Sequence, residues 1–175
     1  MSEMSATTLA ARLTALEDEK KVRACMNRYM QLCDHLDVGF HLPDLMDLFT
    51  EDAVWEGKGG RYASTFGRRQ GKTEIEAMFR KYTEAPGHFD LNVHFLTSEV
   101  IEMHGTRAVG RWVLLQTSTF KTGRSQLSCA RITAEFRKEE AGLWRMSYFQ
   151  TESRFNRPVE TPWDNPAELP TPDKK

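Results

Sequence analysis

The second half of the chain is written almost entirely as strands, and this limits the fold more than any other feature. After Asn92 comes VHFLTSEVIEM, rich in β-branched and aromatic residues, then a turn at His104-Gly105, then AVGRWVLLQTSTF. SQLSCARITAEF follows, then the turn KEEAG, then LWRMSYFQTESRF. Long alternating strands joined by short turns predict an antiparallel meander. Because both faces of these strands are fairly apolar, the sheet is expected to curl around its own contents.

The first half follows helical periods instead. Leu9, Leu13 and Leu16, then Val22, Met26, Tyr29, Cys33 and Leu36, predict a helix from about Thr8 to Leu36. Its middle, LEDEKK, is polar enough to suggest a break or a projecting segment. Pro43 ahead of Leu45, Met46, Leu48 and Phe49 marks a short second helix, and Ala53-Val54-Trp55 reads as a first strand. Thr73 and Glu76 stand in capping-box spacing before Ile75, Met78 and Phe79, which predicts a third helix. Helices followed by a meander indicate an α+β domain and not a parallel α/β sheet.

A length of 175 residues suits one domain, taken as 1–157, with 1–15 a helical extension and 158–175 a proline-rich tail. In that tail Trp163 is the large apolar anchor. Lys and Arg total 24 against 25 Asp and Glu, so no basic excess points to nucleic acid or an anionic membrane. No apolar run nears the roughly 18 residues that span a bilayer, and MSEMSATTLAARL does not read as a secretion signal. A cytoplasmic protein is expected. Cys25, Cys33 and Cys129, odd in number and without framework spacing, read as reduced, buried thiols.

Two tempting motifs fail on spacing. GRRQGKT places Gly67 one residue too close to Gly71-Lys72-Thr73 for a phosphate loop. DHLDVGFH offers His35, Asp37 and His41 but has no metal-ligand spacing. No metal or cofactor is expected.

Tyr29, Asp34 and His94 are more informative. Asp34 borders the apolar stripe of the first helix, where a carboxylate needs a donor. His94 lies between Val93 and Phe95 on the first long strand. An Asp–His pair is a familiar general base, the carboxylate fixing the imidazole tautomer. Tyr29 precedes Asp34 by five residues, about 140° of helical rotation, so the two point different ways. On the residues alone, a solvated helix-end Asp34 and an ordinary strand His94 stay open as alternatives.

The segments RYMQLCDHLD, LMDLFTEDAVWEG, GKTEI, HFLTSEVIEMHGTRAVGRWVL and LWRMSYFQTESRF, taken in order from Leu16 to Phe155, resemble the SnoaL-like group of the nuclear-transport-factor-2-like superfamily. Within it the likeness is greatest to the branch of bile-acid 7-alpha dehydratase and scytalone dehydratase. That resemblance implies a cone-shaped α+β roll, with a strongly curved mixed or antiparallel sheet wrapped around a long N-terminal helix. It also implies that Tyr29, Asp34 and His94 line the cone. A late-strand arginine falls near Arg154 after a one-residue shift beyond Trp144, and Asp37 competes with Asp34 for the carboxylate role. The implied activity is a cofactor-independent lyase, a dehydratase of small hydrophobic alicyclic or aromatic carbonyl compounds. The alternatives are an isomerase or cyclase using the same proton abstraction, a ligand-binding domain, or a relative of ring-hydroxylating oxygenase small subunits. A homo-oligomer is implied as well, with a trimer favoured over a dimer. The stripe Leu9, Leu13, Leu16 and the proline strap are candidate contact segments.

Overall fold

In a computed structural model, which describes residues 6–163, helix α1 (Ala6–Asp34) runs unbroken through the polar LEDEKK segment. Its first three turns stay outside the core: Leu9, Leu13 and Leu16 are 57%, 56% and 65% exposed. Burial begins at Val22 and continues through Cys25, Met26, Tyr29, Met30 and Cys33, the 3.6-residue stripe that faces the sheet. Asp18 marks the change. Its buried carboxylate accepts from Lys138 Nζ at 2.6 Å and Trp144 Nε1 at 3.0 Å, and these bonds hold its pKa below the ordinary 3.8.

After α1 come α2 (Leu42–Met46), with proline in its first turn, and β1 (Phe49–Lys58). Two small elements follow that the sequence reading missed, α3 (Gly60–Thr65) and β2 (Arg68–Gln70), and then α4 (Lys72–Arg80). The long strands are β3 (Phe89–His104), β4 (Arg107–Phe120), β5 (Ser125–Lys138) and β6 (Trp144–Val159). They form one sheet in the order β2-β1-β6-β5-β4-β3. Every neighbouring pair is antiparallel except β1 with β6, which is parallel.

The expected α+β cone is what the chain forms. Register shifts that bend a sheet insert residues on β3, at Phe89/Leu91 and Thr97/Val100, and on β6, where Arg154 and Ser147 are the extra residues opposite Cys129/Ala130 and Glu135/Phe136 of β5. Its inner face holds Trp112, Leu114, Ala130, Ile132, Ala134, Phe136, Met146 and Phe149 against α1. No helix among the described residues is long and apolar enough to cross a membrane.

Three local expectations change. The capping box does not form, because α4 begins two residues earlier: Gly71 is its N-cap, and Glu74 takes the Gln70 amide. The GRRQG segment is instead the edge strand β2, paired with β1 through Val54, Trp55 and Glu56. β6 continues past residue 157, since Pro158 and Val159 still pair with Gln126 and Ser125. The strap is anchored as far as Trp163, whose indole donates to Gln126 O at 3.1 Å. Residues 164–175 of the expected tail, and 1–5 of the extension, lie outside the described residues.

Gly110 is a packing requirement on β4. A Cβ there would overlap the Trp112 ring, which lies two residues on, is 2% exposed, and bonds Glu99 through its indole at 3.1 Å. Overpacking of this kind costs about 1–3 kcal/mol. Gly110→Ala is therefore expected to lower the melting temperature by several degrees. An unchanged melting temperature would show that the indole has room to move.

Candidate active site

The last residue of α1 and the first half of β3 meet at one point. Asp34 Oδ1 accepts from the backbone N–H of His94 at 2.9 Å and lies 2.6 Å from His94 Nδ1. An ionised carboxylate only accepts, so Nδ1 carries a proton towards it, and in the neutral ring Nε2 then keeps its lone pair. Both side chains are largely shielded, His94 at 12% exposure and Asp34 at 21%. Among the described residues nothing hydrogen-bonds Nε2.

His94 borders a chamber enclosed by α1, α3, α4 and the inner face of the sheet. It offers about 120 Å³ to the centre of a water molecule, within about 690 Å³ of non-atom space that includes its open mouth. Met30, Leu36, Trp55, Phe66, Phe79, Leu114, Ile132 and Phe149 make most of the wall. The polar groups facing in are few and carry no fixed charge: Tyr29, Asn92, Gln116 and Thr151, with Tyr62 and Tyr82 near α3 and α4.

Tyr29 is 3% exposed, its ring packed against Phe149 at 4.8 Å and Phe49 at 5.7 Å between centroids. Its oxygen accepts from Trp55 Nε1 at 2.9 Å. Burial pushes the phenol well above its ordinary 10.0, so it stays protonated and can donate. One turn on lies the Cys33 thiol, which burial pushes up to about 12. Thiol sulfur accepts weakly, so an oxygen of a bound guest competes for the phenolic proton.

Beside the pair lies a polar network the sequence reading missed. Asn92 Nδ2 donates to Cys33 O at 3.2 Å, while its Oδ1 accepts from Gln116 Nε2 at 2.7 Å and Ser118 Oγ at 2.8 Å. The signal was present in the text: Asn92 and His94 are two apart on one strand and so share a face, and Gln116 stands opposite His94 on β4.

The chain thus brings Tyr29 and His94 to one chamber, with Asp34 behind His94 and not itself in the wall, but does not bring Arg154 there. Arg154 is the extra residue at the β6 register shift between Ser153 and Phe155; it is exposed and outside the chamber lining. The arginine transfer depended on strand register, and the bulge redirects it. Asp37 is exposed beyond α1 and accepts the Val38 amide at 2.8 Å. His35 and His41 also part company, the first to Gln31 O and the second to Asp44. No three His, Cys, Asp or Glu side chains among the described residues converge as a metal site.

Comparison with known proteins places these features in context. A model of the SnoaL-like domain matches residues 14–150. No curated protein matches the sequence. Among solved structures, a candidate scytalone dehydratase from Novosphingobium aromaticivorans superposes with a TM-score of 0.69 at 16% identity, covering 87% of this chain and 97% of that one. An NTF2-like protein with a cystatin-like fold from the same species gives 0.64 at 23% identity, with coverages of 87% and 92%. A type-3 hexachlorocyclohexane dehydrochlorinase from Novosphingobium barchaimii gives 0.62 at 15% identity, with coverages of 88% and 98%. At these identities the structural likeness concerns the fold.

Proposed function

The chain belongs to the SnoaL-like domain family, and from that premise we propose that it is a cofactor-independent lyase, a dehydratase of small hydrophobic alicyclic or aromatic carbonyl compounds. The observation that carries this reading is the 2.6 Å contact between Asp34 and His94 Nδ1 at the wall of an apolar chamber. It leaves Nε2 as an oriented base at an apolar surface.

In the proposed reaction, Nε2 takes a proton from the carbon next to the substrate carbonyl. The C–H electron pair passes into an enolate, whose oxygen accepts the Tyr29 proton as a hydrogen bond. The enolate then collapses, the carbon–carbon double bond forms, and the bond to the neighbouring hydroxyl breaks. The departing hydroxide takes the proton held on Nε2 and leaves as water. Asp34 stabilises the imidazolium between the two steps, and the buried Trp55–Tyr29 pair holds the phenol in place. A guest with a different leaving group, or with none, would undergo dehydrohalogenation or isomerisation through the same first step.

Loss of the base should remove most of the turnover, since general-base catalysis contributes about 10²–10⁴-fold. His94→Ala, assayed on a series of β-hydroxy alicyclic and aromatic ketones, is expected to lose kcat by that factor with its melting temperature little changed. Activity retained in this variant would reject the mechanism. Wild-type protein that binds such ketones without converting them would favour a ligand-binding role.

The assembly proposed for the chain is a homo-oligomer built through the outer face of the sheet. Phe95, Leu115, Cys129 and Phe155 stand opposite one another in four successive strands. Phe95 and Phe155 are 50% and 47% exposed, with Val113 beside them at 37%. An antiparallel sheet with one solvated face ordinarily alternates to polar residues there, so an apolar row of this width calls for cover. Light scattering should give a dimer or trimer for the wild type and a monomer for Leu115→Lys. A monomeric wild type would overturn the assembly.

A further inference from the structure

We propose that the substrate carries an anionic group and that Arg69 and Lys81 bind it at the mouth of the chamber. The proposal rests on the chamber as the substrate site, but not on what happens to the substrate there.

A second hollow adjoins the first and shares Phe66, Met78 and Tyr82 with it, so an apolar wall runs from one into the other. It offers about 230 Å³ to the centre of a water molecule. Its other side chains come from four separate segments: Thr65 at the end of α3, Arg69 from β2, Lys81 just beyond α4, and His88 just before β3. No aspartate or glutamate lines it.

The two cations are not neutralised from elsewhere. Lys72, Arg80, Lys121 and Lys138 are each ion-paired, with Glu51, Glu76, Asp90 and Asp18 respectively. Arg69 donates to the carbonyl of Arg68 at 2.9 Å, and neither it nor Lys81 has a carboxylate within ion-pair distance among the described residues. His88 sits edge-on to Tyr82 at 5.1 Å, and burial holds its pKa below 6.5. It serves there as a neutral hydrogen-bonding partner and not as a third charge.

The inner chamber, by contrast, has no fixed charge, with apolar walls and a few neutral donors. A guest that satisfies both compartments has an apolar ring body and one anionic end, a carboxylate or a phosphate ester. Charge-assisted bonds from an arginine and a lysine would hold that end outside while the reacting carbon reaches His94. The arrangement fixes which end of an elongated substrate enters first.

Two fluorescent probes that differ by one charge test this on the full chain: anilinonaphthalene sulfonate and its uncharged counterpart phenylnaphthylamine. At low salt the wild type is expected to bind the sulfonate about tenfold more tightly, roughly one good charge-assisted contact. Added salt should shrink the difference. In the double variant Arg69→Gln/Lys81→Gln the preference should vanish while the neutral probe binds as before. Lys81→Gln alone, at an exposed position, should lose part of it. Displacement of the sulfonate by benzoate or by inorganic pyrophosphate would then identify carboxylate or phosphate as the favoured anion. Equal affinities in the wild type, or a preference that survives the double substitution, would overturn the proposal. The readout needs no turnover, so failure of the elimination chemistry and failure of the anion site are separable.

Discussion

A carboxylate at the end of a long helix and an imidazole on the facing strand meet across the interior, and the rest of the site is organised around that contact. Asp34 Oδ1 accepts two bonds from one residue, the backbone amide and the ring of His94. A partly buried carboxylate without such donors would be costly. The same joint is reinforced next door, where Asn92 holds the carbonyl of Cys33 and is itself held by Gln116 and Ser118. The end of α1 is therefore fixed in angle and depth. Near its middle, where burial begins, Asp18 ties the helix to Lys138 and Trp144. Between these two anchors the helix lays its apolar stripe on the sheet, with Arg23 paired to Glu99 of β3 at 2.6 Å, and the chamber is the space that packing leaves open.

The chemistry follows from what the chamber lacks as much as from what it holds. No lysine, arginine or carboxylate projects from its wall, so a charge developing on His94 is answered by Asp34 alone. Tyr29 adds a donor whose position is set by Trp55 and whose proton is retained by burial. Fixed positive charge lines the adjoining hollow, on Arg69 and Lys81. Such a division suits a reaction that moves a proton inside while the substrate is held by its polar end outside.

The sheet and the long helix were legible in the sequence because their signals are periodic and local: alternation from Asn92 onward and the stripe from Val22 to Cys33. The meeting of Asp34 with His94 was partly legible, since a carboxylate beside an apolar stripe needs a donor, but family resemblance singled out His94. What escaped was set by backbone detail that composition does not carry. Arg154 leaves the cone because a bulge of one residue precedes Phe155 on β6, a shift with no side-chain signature. The Thr73 cap failed because Gly71, at φ +83°, starts the helix earlier. α3 and β2 are too short for periodicity to mark. The parallel pairing of β1 with β6 joins residues almost a hundred positions apart, beyond the reach of any local pattern.

The central claim is that Asp34 holds His94 with its proton on Nδ1, leaving Nε2 free to act as a base. Nitrogen-15 NMR of the histidine rings, recorded where His94 is neutral, tests this directly. The account predicts a proton on Nδ1 in the wild type and a mixture of tautomers in Asp34→Ala. A wild-type ring protonated on Nε2 would contradict it.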